Sequence, residues 1–242
     1  MPSYDKHSAY EPTKVTQREL SQEREQLRSC WERRLPLFNA LARTPEEIYQ
    51  LQKLGCKKRH AAIVSSQIRQ FHDKLGLKAK DTLATGGLCA GALYRTGSFI
   101  KTKQSARSGI RKNQKQNIHI EHTVPVSALR DTILRKEKIE QPWLLWFLLK
   151  HSVATAMTNK QKEGLPNSIH GLSSDKHYRG FPFRRYDGKL QDEIWDVWSG
   201  RRIERDHFTF DHHLAVVINI LDEVKALELR DSLLTYNDEF VV

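Results

Sequence analysis

The chain has 242 residues, of which 38% are hydrophobic and 29% charged. This composition is polar, but it includes enough apolar side chains for a core and therefore excludes wholesale disorder. Its 40 Lys and Arg against 29 Asp and Glu give a net charge of +11, which favours a polyanionic partner, either nucleic acid or an acidic membrane surface. No apolar run approaches the ~20 residues of a membrane span, no secretory signal is visible, and three isolated cysteines exclude a disulfide framework. We therefore expect a cytoplasmic protein.

The first part of the chain, residues 1–80, predicts a helical region. Apolar residues around Trp31 recur with the period of an amphipathic helix, which Pro36 is expected to bend or end. The sequence Thr44-Pro45-Glu46-Glu47 is typical of a helix start, because it offers a capping hydroxyl, a Pro at the first helical position and acids in the first turn. Gly55 predicts the end of that second helix.

A long basic segment follows. Residues 82–120 contain no Asp or Glu and several glycines. Counterion release on DNA binding would favour such a segment, so we expect its cations to contact phosphates, although a solvated surface is the alternative. These cations are Arg95, Lys101, Lys103, Arg107, Arg111, Lys112 and Lys115.

Three later segments have clear local patterns. The apolar run at 143–149 predicts a buried helix, and the small and β-branched residues at 153–158 predict a short strand. Thr158 or Asn159 is expected to cap a short helix directly after that strand. Residues 201–242 return to a helical period and predict a C-terminal helical region.

The most informative motif is IHIEHTVP at residues 118–125, a short β-branched run followed by Glu-His, two further residues and Pro. This motif resembles that of the HNH, or ββα-metal, nucleases, a subset of which open the catalytic hairpin with Glu-His-x-x-Pro. The resemblance spans residues 117–165. It implies an α+β, mostly helical protein, in which a ββα-metal nuclease hairpin-helix core has N- and C-terminal helical regions around it. Residues 81–200 would then hold the basic segment and the nuclease core.

A Glu-His pair suits phosphodiester hydrolysis. A histidine can deprotonate water near neutral pH because its ordinary pKa is about 6.5, and a carboxylate can hold Mg²⁺, which stabilises charge on phosphate oxygens. Adjacent residues of a strand point to opposite faces, so a bend after Glu121 is needed to aim both at one phosphate, and Val124-Pro125 can supply it. The resemblance implies His122 as the general base and Glu121 as a metal ligand. His119 should lie on the same face of the strand as Glu121, but without contacting the attacking water.

The remaining metal ligands are less clearly marked. An HNH signature has an Asn within its hairpin, but the first Asn after His122 is Asn159. The resemblance then implies that Asn159 supplies the second ligand, with Glu163 on the same helix face as another candidate. Asn159 also reads as an ordinary helix cap, and Glu163 as a solvated acid. His177 is a candidate to complete the shell around Mg²⁺ or Mn²⁺.

Two further clusters have competing interpretations. Arg179, Arg184 and Arg185 lie among aromatic residues, which suits phosphate clamping and base stacking, although their stems can equally cover an aromatic core. The Asp and His residues at 206–213 have a density that can ligate a transition metal. We favour the alternative that Thr209 or Asp211 caps the helix that follows.

We therefore expect a DNA endonuclease of the HNH kind that uses Mg²⁺ or Mn²⁺, with a restriction or phage-defence role as its natural setting. The N-terminal helices are a candidate surface for a homodimer. The first alternative is a non-catalytic nucleic-acid-binding protein in which Glu121 and His122 are structural. A metal-dependent hydrolase built on residues 206–213 is the second, and a PD-(D/E)xK nuclease, suggested by Asp187-Gly188-Lys189, ranks third.

Overall fold

The described residues form an α+β fold that is mostly helical and has a small mixed sheet of five strands, which confirms the prediction of an α+β, mostly helical protein. No helix in the described part of the chain is long and apolar enough to span a membrane. The computed structural model describes residues 14–41, 44–55, 62, 64–66, 68–69, 91–103, 107, 118–136, 138–165 and 180–240.

The N-terminal helices are α1 (Gln17–Leu41) and α2 (Thr44–Lys53). Helix α2 begins at Thr44, one residue before Pro45, the predicted first helical residue, and Gly55, with φ of +66°, follows its end. Pro36, expected to bend or end α1, does not end it, because the helix continues to Leu41. Burial of the preceding turns at Leu27 and Trp31 helps to offset the ~3 kcal/mol that an interior Pro costs.

The sheet consists of the strands β1 (Tyr94–Thr96), β2 (Ile118–His122), β3 (Ala154–Thr158), β4 (Ile194–Asp196) and β5 (Arg201–Arg202). Their order across the sheet is β2-β3-β1-β4-β5, in which β1 and β3 are parallel and the other neighbours are antiparallel. The short helix α3 (Gly97–Lys101) directly follows β1, and α6 (Asn159–Glu163) directly follows β3. Because β1 and β3 run in the same direction, these two helices start at the same edge of the sheet.

Several local predictions are confirmed. The apolar run lies in a largely buried helix, the strand after it is β3, and Thr158 caps α6. Thr209 caps the first C-terminal helix, as expected. The C-terminal region contains two helices rather than one, because Lys225 adopts a left-handed φ of 61° between them. The helices are α4 (Val126–Arg135), α5 (Gln141–His151), α7 (Phe210–Glu223) and α8 (Leu227–Phe240).

One hydrophobic cluster joins the three segments into which the sequence divides the chain. Leu27 from the first segment, Tyr94 and Leu148 from the second, and Val217 from the third all belong to it. A smaller cluster of Ile118 with Phe99, Ala92 and Ala156 is separate from it. The side chains of the sheet therefore meet two apolar layers, one on each face.

Candidate active site

Strand β2 carries the Glu-His motif, and its pairing with β3 fixes the direction of each side chain. Glu121 lies opposite Thr155 and His122 opposite Ala154, so the two motif residues are consecutive strand residues on opposite faces. The strand does not bend between Glu121 and His122; the chain bends just beyond the pair, at Thr123 and Val124. Pairing continues as far as Thr123, whose backbone N–H and hydroxyl both donate to the Val153 carbonyl at 2.9 Å.

His119 is the histidine that contacts Glu121. The two residues share a face of β2, as predicted, and the Nε2 atom of His119 lies 3.2 Å from Oε2 of Glu121. The side chain of His119 is 37% exposed and that of Glu121 is 12% exposed. The Nε2 atom of His122 is buried. The solvent-accessible acid–base pair on this strand is thus His119 with Glu121.

Glu121 also begins a row of polar residues that crosses the sheet. Register places Glu121, Thr155, Tyr94 and Asp196 side by side on four neighbouring strands and on one face, and we call these four residues the polar row. Thr155 is fully buried, and its Oγ1 atom has no hydrogen-bond partner among the described residues. Sequence patterns do not identify this row, because strand register alone brings its members together.

The far end of the polar row is satisfied within the protein. The Tyr94 hydroxyl lies 2.6 Å from Nδ1 of His213, and burial raises the pKa of Tyr94 well above its ordinary value. Asp196 accepts hydrogen bonds from the Ser199 hydroxyl at 2.6 Å and from the Trp198 backbone at 2.9 Å. Burial raises the pKa of Asp196. These contacts fix the turn between β4 and β5, so this end is structural.

The residues proposed as further metal ligands lie at the other end of the β2–β3 pair. Thr158 is opposite Ile118, three strand positions from Glu121, a separation of roughly 10 Å. Asn159 follows Thr158, and Glu163 is exposed at the end of α6. Within the described residues no group of three His, Cys, Asp or Glu lies together in a way that could hold a metal ion. The predicted ligand His177 lies outside the described residues.

The inward-facing polar residue of α6 is instead Gln161. Its Nε2 atom donates to the buried carboxylate of Asp192 at 2.7 Å, and its Oε1 atom accepts from the Thr96 hydroxyl at 2.9 Å. The Ser98 backbone also donates to Asp192 at 2.7 Å. This network joins the starts of α3 and α6 and therefore holds the end of the β2–β3 pair in place.

Two cations of the basic segment are structural, and the prediction that they contact phosphate is wrong. Arg95 and Arg107 are buried, and both form ion pairs with Glu23 of α1; the Arg107 Nη1 atom is 2.7 Å from Glu23 Oε1. Arg107 also donates to the carbonyls of Phe99 and Ile100, where α3 ends. The compensating acid, Glu23, lies on α1, so the composition of the basic segment alone does not reveal it.

The other predicted phosphate contacts have different outcomes. Lys101 pairs with Glu19 of α1 at 2.8 Å, and this contact lowers the pKa of Glu19 to about 2. Lys103 and Arg184 are exposed and remain candidates. Arg111, Lys112, Lys115, Arg179 and the side chain of Arg185 lie outside the described residues, so their role stays a prediction.

Three residues of the Asp and His cluster, Asp211, His212 and His213, lie in the first turn of α7. The Thr209 hydroxyl accepts from the His212 backbone, and Nδ1 of His212 accepts from the Thr209 backbone, each at 3.1 Å. Asp211 pairs with Lys150 at 2.6 Å. His213 is buried, and its burial lowers its pKa to about 3. This supports the helix-cap interpretation over a metal centre.

Comparison with known proteins gives no relative: no family model, no curated protein and no solved structure matches the chain. Among the described residues, the partly exposed pair of His119 and Glu121 on β2 combines an imidazole and a carboxylate, which can carry acid–base chemistry and can bind a metal ion.

Proposed function

We propose that the protein is a divalent-metal-dependent endonuclease that hydrolyses DNA phosphodiester bonds, with its active site at β2. The observation that carries this proposal is the arrangement of the motif. The Glu-His pair lies on a strand that pairs antiparallel with β3, and β3 leads directly into α6, which packs against both strands. Strand, strand and helix thus follow in the order implied by the HNH resemblance, with α4 and α5 inserted between the strands.

Glu121 is the metal-binding carboxylate in this proposal. Its side chain is mostly buried but reaches the contact with His119, so it combines a fixed position with access from solvent. A bound divalent cation would supply Lewis-acid stabilisation of the charge that builds on the phosphate oxygens. The motif assigns the general base to His122, whereas the observed contact favours His119 as the partner of Glu121.

Cleavage of supercoiled plasmid tests the proposal. The full chain should cut plasmid in Mg²⁺ or Mn²⁺ and not in EDTA, and a parallel reaction with RNA defines the substrate. Glu121→Ala should reduce cleavage by at least ~100-fold while leaving the circular-dichroism spectrum and DNA retardation unchanged, because it removes a ligand oxygen rather than a packing group.

Glu228→Ala is the matched control, since Glu228 is an exposed carboxylate at the start of α8. It should cut plasmid at the wild-type rate. Cleavage that persists in EDTA, or in Glu121→Ala at the wild-type rate, would contradict the proposal. The ranking of His122→Ala and His119→Ala in the same assay identifies the histidine that supports cleavage.

A non-catalytic nucleic-acid-binding protein is the second candidate. The opposite faces of Glu121 and His122 favour it, because two groups on opposite faces of a strand cannot act on one phosphate in this conformation. This candidate predicts plasmid retardation without cleavage under every metal condition.

A further inference from the structure

We propose that His119 and Glu121 form a binding site for a transition-metal dication, with Nε2 of His119 and Oε2 of Glu121 as the two protein ligands. The inference rests on the proposed function, since it names the class of metal that the same strand would bind. It also reassigns the second protein ligand from Asn159 to His119. The site is formed by two residues of one strand, two positions apart, so its geometry does not depend on α6.

The distance between the two ligand atoms fits one shared ion. Imidazole nitrogen and carboxylate oxygen bind such metals at about 2.0–2.2 Å, so two ligands at an octahedral or tetrahedral angle are about 2.8–3.6 Å apart. The observed separation of Nε2 and Oε2 is 3.2 Å. Both side chains project from the same face of β2, whose pairing with β3 fixes the backbone at both positions. An ion can therefore be accepted without a rearrangement of the strand.

The chemistry of the two ligands selects the class of ion. Imidazole nitrogen suits Zn²⁺, Co²⁺ and Ni²⁺, whereas Mg²⁺ prefers oxygen ligands and keeps several waters. A site that offers one nitrogen and one oxygen should therefore bind a transition-metal dication more tightly than Mg²⁺. This differs from the Mg²⁺ that the HNH resemblance implies.

A second, independent observation lies on the neighbouring strand. Thr155 is directly opposite Glu121, on the same face, and is fully buried. Its hydroxyl makes no hydrogen bond with the described residues, and a buried polar group without a partner is destabilising. A hydroxyl beside a metal ligand can orient that ligand or a water carried by the ion. The position of Thr155 is thus suited to support for the proposed site.

Access from solvent is provided by His119. Its side chain is 37% exposed, while that of Glu121 is only 12% exposed. An ion can therefore reach the pair from the exposed imidazole side. Water or a phosphate oxygen would supply the ligands that these two residues do not.

Metal titration of the full chain tests the inference without reference to cleavage. Co²⁺ binding is followed by its visible absorption, and Zn²⁺ and Mg²⁺ binding by calorimetry. We expect wild type to bind Co²⁺ and Zn²⁺ at least ~10-fold more tightly than Mg²⁺. His119→Ala and Glu121→Gln should each weaken Co²⁺ binding by at least ~10-fold, and Thr155→Val should weaken it by a smaller factor.

His207→Ala is the matched control, since His207 is exposed in the turn before α7. It should bind Co²⁺ as wild type does. Wild-type Co²⁺ affinity in His119→Ala would overturn the inference, and so would loss of binding in the control alone or equal affinities for Co²⁺ and Mg²⁺. Glu121→Gln keeps the size of the side chain and gives an independent test if His119→Ala does not fold.

The two proposals can fail separately. Loss of Co²⁺ binding in His119→Ala, with no cleavage of plasmid or RNA by wild type, would support the metal site and exclude the nuclease. Metal-dependent plasmid cleavage together with unchanged Co²⁺ binding in His119→Ala would support the nuclease and exclude His119 as a ligand.

Discussion

Glu23 holds two arginines of the basic segment in buried ion pairs. Its carboxylate pairs with Arg95 and Arg107, which are 72 and 84 residues further along the chain, and all three side chains are buried. Arg107 also lies 4.3 Å from the centre of the Phe99 ring. Two cations thus share one anion, and this buried cluster attaches α1 to β1 and α3.

Neutralising Glu23 should destabilise the protein strongly. Glu23→Gln removes the carboxylate charge that two buried guanidinium groups share, and breaking a buried ion pair in this way costs about 3–5 kcal/mol. Urea unfolding measures the decrease in stability, with Glu25→Gln as the control because Glu25 is exposed on the same helix. A decrease below ~1 kcal/mol for Glu23→Gln would show that the cluster contributes little to stability.

At the scale of elements, the basic segment divides between structure and surface. In the described part of the segment, Arg95, Lys101 and Arg107 form ion pairs with acids of α1. Lys103, just beyond α3, is exposed. Lys103 and the later cations of the segment therefore remain the predicted phosphate contacts.

Replacing those later cations should weaken DNA binding without unfolding the protein. The variant with Lys103, Arg111, Lys112 and Lys115 all changed to Ala should bind DNA less tightly, and its salt dependence should flatten by about 0.9 in log–log slope for each phosphate that is no longer neutralised. Retardation assays across a series of salt concentrations measure the slope. Lys138→Ala, an exposed lysine outside the segment, is the control. An unchanged slope in the quadruple variant would exclude phosphate binding by these residues.

At the scale of the whole molecule, two histidines make stability depend on pH. His151 of α5 and His213 of α7 lie in the interface between these helices, where burial lowers their pKa values to about 4 and about 3. His151 further lowers the pKa of His213, and Lys150 lowers that of His151, whereas Asp211 opposes the shift at His151. Both histidines are therefore neutral in the folded protein at pH 5 and above.

The free energy of unfolding should fall as the pH decreases from about 6.5 towards 4. In this range the unfolded chain binds protons at both histidines while the folded chain does not, so acid favours unfolding. His151→Phe keeps an aromatic ring beside Phe147 and Phe210 but removes one titrating group, and it should reduce the pH dependence by about one proton. Urea unfolding at pH 7, 5.5 and 4 measures the change. Equal pH dependence in variant and wild type would exclude His151 as a contributor.

Local patterns in the sequence determined much of the secondary structure. The N-cap at Thr158, the N-cap at Thr209 and the buried helix α5 depend on interactions within about four residues, and they were predicted from composition and spacing alone. The shared face of His119 and Glu121 followed from the period of a strand in the same way. The nuclease function and the Asn159 ligand came from the resemblance; the function remains a proposal, whereas His119 replaces Asn159 as the proposed second ligand.

Tertiary structure decided which of these residues meet. The sequence does not show that Glu23 neutralises Arg95 and Arg107, because the acid lies 72 and 84 residues away from its partners. It does not show that Thr155 lies beside Glu121, because strand register is set by packing across the sheet. Propensity and capping act over a few neighbouring residues, whereas charge compensation and register depend on elements that only folding brings together.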